Sequence, residues 1–146
     1  ATKEHKHAIT YHESLAAIRQ VYNGLLADVR DGEDYMIFSS AQELFDLDPE
    51  FFEDFFLRRA KRRIKIRCLF RDSPLGRKYQ KDPKKYNVHT KIFPSHVTFT
   101  ANLVIIPKKV VIHQLLPPNW AIVIENEHIV KTHQQLFESF WASIPD

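Results

Sequence analysis

Between Val97 and Glu125 the chain alternates apolar runs with proline-marked breaks, a pattern that few architectures accommodate. Val97 to Ile106 and Val110 to Leu116 read as two strands joined through Pro107-Lys108-Lys109, and Pro117-Pro118-Asn119 stops the chain before a last strand, Trp120 to Glu125. Asn126 then caps a closing helix whose apolar stripe is Ile129, Val130, His133, Leu136, Phe137, Phe140 and Trp141. Consecutive strands need a sheet, and a striped helix needs a face to cover. The two together predict a mixed sheet with helices packed on it.

The first half supplies further elements. Ala8, Tyr11, Leu15, Ile18, Tyr22, Leu25 and Val29 recur in steps of three and four, which predicts a helix from Ala8 to Val29 ended by Asp31-Gly32. Two uses of that stripe stand side by side: a heptad seam pairing with a second copy, or an amphipathic face lying on the chain's own sheet. Tyr35 to Ser40 reads as a buried strand entering a polar turn. Asp48-Pro49 predicts an N-cap and first helical position, followed by the stripe Phe52, Phe55, Phe56 and Ala60. The basic cluster Arg58, Arg59, Lys61, Arg62 and Arg63 reads first as a solvated helix end and second as an anion contact. Strands are expected at Ile64 to Phe70 and Asn87 to Phe93, with an irregular or short-helical connection over 72–86.

Composition narrows the function classes. The chain has 146 residues, enough for one domain, and its 44% hydrophobic content can fill a core. No apolar run approaches the length of a membrane span and the first residues are polar, so the expectation is a soluble, cytoplasmic protein without a membrane partner. Cys68 is the only cysteine, which excludes a disulfide framework and a cysteine zinc site. His5, His7, His12, His113, His128 and His133 lack metal-ligand spacing, so neither a metal nor another cofactor is expected. A net charge of +3 is too small to imply a nucleic-acid groove by itself. Met36 is the only methionine, and the expectation from it is that this chain is a piece of a longer protein.

The sharpest local pattern is His89-Thr90-Lys91, because alternation along a strand puts His89 and Lys91 on one face, where they can hold a phosphate or sugar hydroxyl. This resembles the phospholipase D superfamily's motif of His-x-Lys followed after four residues by Asp, in which the histidine is the nucleophile and the lysine grips the phosphate. Here Ile92, Phe93, Pro94 and Ser95 intervene and His96 stands at the aspartate's place, and the glycine and serine that usually follow are absent. A wider resemblance is to the effector domain of TrmB-type, sugar-responsive transcription regulators, which look like a phospholipase D half without its catalytic residues. It is carried by Leu103 to Ile112, by Trp120 to Asn126, and by Leu136-Phe137-Glu138-Ser139-Phe140-Trp141, and the first half agrees in layout.

That resemblance implies an α/β (α+β), phospholipase D-like mixed sheet flanked by helices, non-catalytic, with a linker and dimerisation helix over 1–30 and an effector-sensing domain over 31–146. It implies a small-molecule effector such as a sugar or phosphorylated metabolite, a homodimer, and DNA contact only through a winged-helix domain that is not in this sequence. The expected effector pocket gathers Ser39, Ser40, Arg71, His89, Lys91 and His96, bordered by Thr98, Thr100 and Asn102, and the expected dimer contact is Tyr11, Leu15, Ile18, Tyr22 and Leu25. Two other classes compete: a phosphodiesterase or nuclease using His89 and Lys91, and an interaction module docking through Arg58 to Arg63.

Overall fold

The computed structural model describes residues 8–146; residues 1–7, part of the expected linker segment, lie outside the described residues. Seven strands form one sheet in the order β1-β7-β6-β5-β2-β3-β4. They are β1 (Ala8–His12), β2 (Asp34–Ser39), β3 (Lys65–Phe70), β4 (His89–Ile92), β5 (Ala101–Ile106), β6 (Lys109–Gln114) and β7 (Trp120–Glu125). The helices are α1 (Leu15–Asp28), α2 (Ala41–Leu47), α3 (Pro49–Ala60), α4 (Pro74–Gln80), α5 (Pro83–Tyr86) and α6 (Glu127–Ser143).

The chain's breakers account for the topology. Ile106 pairs with Lys109, so Pro107-Lys108 is the two-residue turn of the β5–β6 hairpin, and β7 and β1 extend the antiparallel half. β2, β3 and β4 are parallel, which requires the crossovers α2–α3 and α4–α5. β2 pairs with β5 on its other side, so it is where the parallel and antiparallel halves meet. β5 begins at Ala101 and not at the expected Val97. The neighbouring β2 ends at Ser39 and turns into α2, leaving no strand for 97–100 to join.

The expected helix from Ala8 divides in two. Ala8–His12 pairs with β7 as an edge strand, and Ser14 caps α1 by accepting from the Ala17 amide at 3.0 Å. Of the five residues assigned to a dimer contact, Ile18, Tyr22 and Leu25 are buried within this chain's own core, while Tyr11 and Leu15 are exposed. Periods of 3.5 and 3.6 diverge by only about 20° per heptad, so so short a stripe serves either packing.

Two cores result. On one face α1 to α5 enclose Tyr22, Leu25, Tyr35, Phe52 and Phe55, and on the other α6 alone covers Met36, Leu69, Ile105 and Val110 with Val130 and Phe137. A single helix makes a line contact on a sheet, which explains why Ile129, Leu136 and Phe140 of the expected stripe stay exposed. Trp120 is half-buried, and so are His133 and Trp141 of the expected stripe. Asp48 is the residue before Pro49 as expected, but its carboxylate makes no capping bond and instead pairs with Arg19 at 2.6 and 3.0 Å.

Candidate functional site

β4 presents His89 and Lys91 on the α6 face and Thr90 on the other, in register with Arg67 and Leu69 of β3. The C-terminal turn of α6 lies across them. Lys91 Nζ donates to the Trp141 carbonyl at 2.8 Å and sits 4.6 Å from the indole centroid, leaving the residue 9% exposed. A helix C-terminus carries partial negative charge, so this amine is both hydrogen-bonded and electrostatically satisfied. The His89 ring meets the Trp141 indole edge-on at 4.8 Å, and its Nε2 lies 2.8 Å from Asp146 Oδ1. Arg67 donates two parallel bonds to Glu138, at 2.7 and 3.0 Å, from beneath Phe137 and Trp141. That guanidinium holds the Glu138 carboxyl below its usual range. Beside β4 an open cleft of about 700 Å³ is lined by Lys65, Arg67, Asn87, His89 and Asp146.

The other expected pocket residues lie elsewhere. Ser40 donates to Glu43, and Arg71 reaches Glu43 Oε1 and the Phe99 carbonyl, both at 3.4 Å, at the carboxyl ends of β2 and β3. Ser39 is buried and turned to the α1–α5 core. His96 is exposed on the loop before β5, Thr98 and Thr100 share that loop, and Asn102 is buried on the α1–α5 face. Strand alternation brings His89 and Lys91 together. The remaining residues do not converge on them: Ser39 faces the other side of the sheet, and Ser40, Arg71 and His96 lie beyond the strand ends.

The basic cluster is largely engaged within the fold. Arg58 bonds Asp54 at 2.7 Å and Asn23 at 3.0 Å, Arg62 donates to the carbonyls of Leu26 and Val29 at the end of α1, and Arg59 is buried. Arg59 follows Phe52, Phe55 and Phe56 at helical spacing, which is the signal that it belongs to the apolar stripe.

Two buried polar features were not anticipated. Tyr22 Oη lies 2.8 Å from His113 Nδ1 and accepts from Asn102 Nδ2 at 2.8 Å, while His113 Nε2 lies 2.7 Å from Asn119 Oδ1. Burial pushes the His113 imidazole below its ordinary range and the Tyr22 hydroxyl upward. The second is a cavity of about 30 Å³ among Tyr35, Ser39, Arg59, Cys68 and Asn102. Burial raises the Tyr35 hydroxyl to about 12, against the pull of Arg59, and raises the Cys68 thiol. Among the described residues no group of three or more His, Cys, Asp or Glu is placed to hold a metal, and no helix is long and apolar enough to cross a membrane.

No family model matches the sequence, and no curated protein matches it. Among solved structures, the chain is similar to TrmBL2, described as an archaeal chromatin protein showing a novel mode of DNA binding. The TM-score is 0.62 at 12% identity, over 91% of this chain and 49% of that one, so the chain spans about half the length of TrmBL2. It is also similar to NucT from Helicobacter pylori, with a TM-score of 0.58 at 11% identity, over 94% of this chain and 98% of that one. The mixed seven-stranded sheet flanked by helices, together with the likeness to these two structures, is consistent with a phospholipase D-like fold.

Proposed function

We propose that this chain is a non-catalytic phospholipase D-like domain that binds an effector within a DNA-associated regulator. The observation that carries this reading is the engagement of Lys91: the amine that would grip a phosphate is buried under Trp141 and bonded to its carbonyl. The position expected for the acid holds His96, exposed on a loop. With the motif's lysine engaged by α6 and a histidine at the acid's place, the arrangement favours binding over phosphate transfer. Likeness to TrmBL2 supports the association with DNA, carried by a winged-helix domain of a longer chain. The cleft beside β4 falls within the usual volume of small-ligand sites, roughly 300–1,000 Å³. Lys65 lines it and takes part in no ion pair among the described residues, which favours an anionic effector such as a phosphorylated sugar that also displaces Asp146 from His89.

Calorimetric titration with glucose 6-phosphate, glucose and inorganic phosphate tests this reading. Binding of the phosphorylated ligand that is lost in His89→Ala supports it, and heats absent for all three count against it. The competing phosphodiesterase reading draws on one observation, the exposed His89 imidazole held by Asp146. Release of nitrophenol from bis(p-nitrophenyl) phosphate by the wild type, abolished in His89→Ala, would establish catalysis and displace the non-catalytic reading.

A further inference from the structure

The cavity between the sheet and α3 has three polar atoms on its walls that make no hydrogen bond within 3.5 Å, Tyr35 Oη, Arg59 Nε and Asn102 Oδ1, with the Arg59 guanidinium near enough to Tyr35 Oη to pull its pKa down. Their residues are 0%, 8% and 1% exposed. Its volume of about 30 Å³ holds two water-sized bodies at roughly 10–15 Å³ apiece. Arg59 decides what one of them is. A guanidinium has five N–H donors and cannot shed its charge. Among the described residues Arg59 takes part in no ion pair. Its neighbours are instead the rings of Tyr35, Phe55 and Phe56, at 5.6, 5.9 and 5.0 Å. Ring faces offset part of a cation's charge, but buried ions in folded proteins are paired. Among the described residues no carboxylate lines the cavity.

We propose that this cavity is a binding site for a small monovalent anion of halide size, held by the Arg59 Nε–H and the Tyr35 hydroxyl. The second body is a water that donates to Asn102 Oδ1. That oxygen faces the cavity because Asn102 Nδ2 is committed to Tyr22 Oη, at 2.8 Å, and Tyr22 is in turn fixed by His113. Water alone satisfies the three buried dipoles but adds no negative charge beside the guanidinium. An anion answers both. The site lies on the opposite side of the sheet from His89 and Lys91, so it stands or falls independently of the effector reading.

Crystals of the 146-residue chain grown from sodium bromide test the proposal directly. The expected result is an anomalous bromine peak within hydrogen-bonding reach of Arg59 Nε and Tyr35 Oη, and a cavity holding only water overturns it. In solution, the wild type should melt on the order of 4 °C higher in saturating bromide than in gluconate of equal ionic strength. Gluconate is too large to enter. Arg59→Met should abolish that difference, and equal bromide dependence in both proteins overturns the proposal. Should Arg59→Met fail to fold, Tyr35→Phe takes its place. It should need at least about tenfold more bromide for the same shift, and an unchanged titration overturns the proposal.

Discussion

Lys91 and Trp141 are locked together: the amine donates to the carbonyl at 2.8 Å and lies 4.6 Å from the centre of the indole of the same residue. One residue on the last helix therefore determines whether the strand lysine meets solvent. Replacing Trp141 with Ala should cost about 2 kcal/mol, less than a fully buried tryptophan because the ring is half-exposed. Urea denaturation measures the loss, and acetylation of Lys91 followed by mass spectrometry should show faster labelling in the variant.

The heptad-spaced residues of α1 should divide by burial. Leu25→Ala should destabilise the chain by about 3 kcal/mol, because Leu25 is 0% exposed in the core. Leu15→Ala should stay within about 0.5 kcal/mol, as Leu15 is 42% exposed. Equal costs in thermal unfolding would show that both positions are covered to the same extent.

His113 makes the stability pH-dependent. Burial lowers its folded-state value below 6.5, so as pH falls the unfolded chain takes up the proton first. Its contribution is fully present above about pH 6.5 and is lost as pH falls through the folded value, by at most about 1.4 kcal/mol per pH unit. Urea midpoints from pH 5 to 8 should show this slope, and His113→Gln should flatten it.

Glu138→Gln tests the surface clamp on Arg67. The pair is bidentate but half open on the Glu138 side, so the loss should be under about 1 kcal/mol. It should shrink further in molar salt, where screening reaches about 3 Å. Comparing midpoints of both proteins at low and high salt checks both statements.

The strand and helix order from β2 onward was largely legible because its punctuation is local, whereas β1 was read as part of α1. Asn126 caps α6 through its side chain, Pro107-Lys108 turns the hairpin, and Trp120–Glu125 forms one strand, each dictated by a few adjacent residues. What lies across the sheet was less legible. Strand alternation placed His89 and Lys91 on one face, yet no pattern in β4 announces that α6 ends over them. The assumption that polar residues gather in one pocket failed for Ser39, which strand alternation turns to the α1–α5 face, and for Ser40, Arg71 and His96, which lie beyond the strand ends. Arg59 was read with its basic neighbours, although its spacing from Phe52, Phe55 and Phe56 assigns it to the interior. His113 carried no signal, since its partners Tyr22 and Asn119 come from distant segments and a loop.

The lopsided layering has a consequence for how the molecule comes apart. Five helices share the covering of one side, but α6 is sole tenant of the other, and its last turns also fasten Lys91 and, through Asp146, His89. Peeling that helix away would wet Met36, Leu69 and Ile105 in the same motion that freed the two motif side chains. The Lys91 amine at the rim of β4 is thus tied to the cohesion of half the interior, and freeing it by moving α6 means loosening the domain.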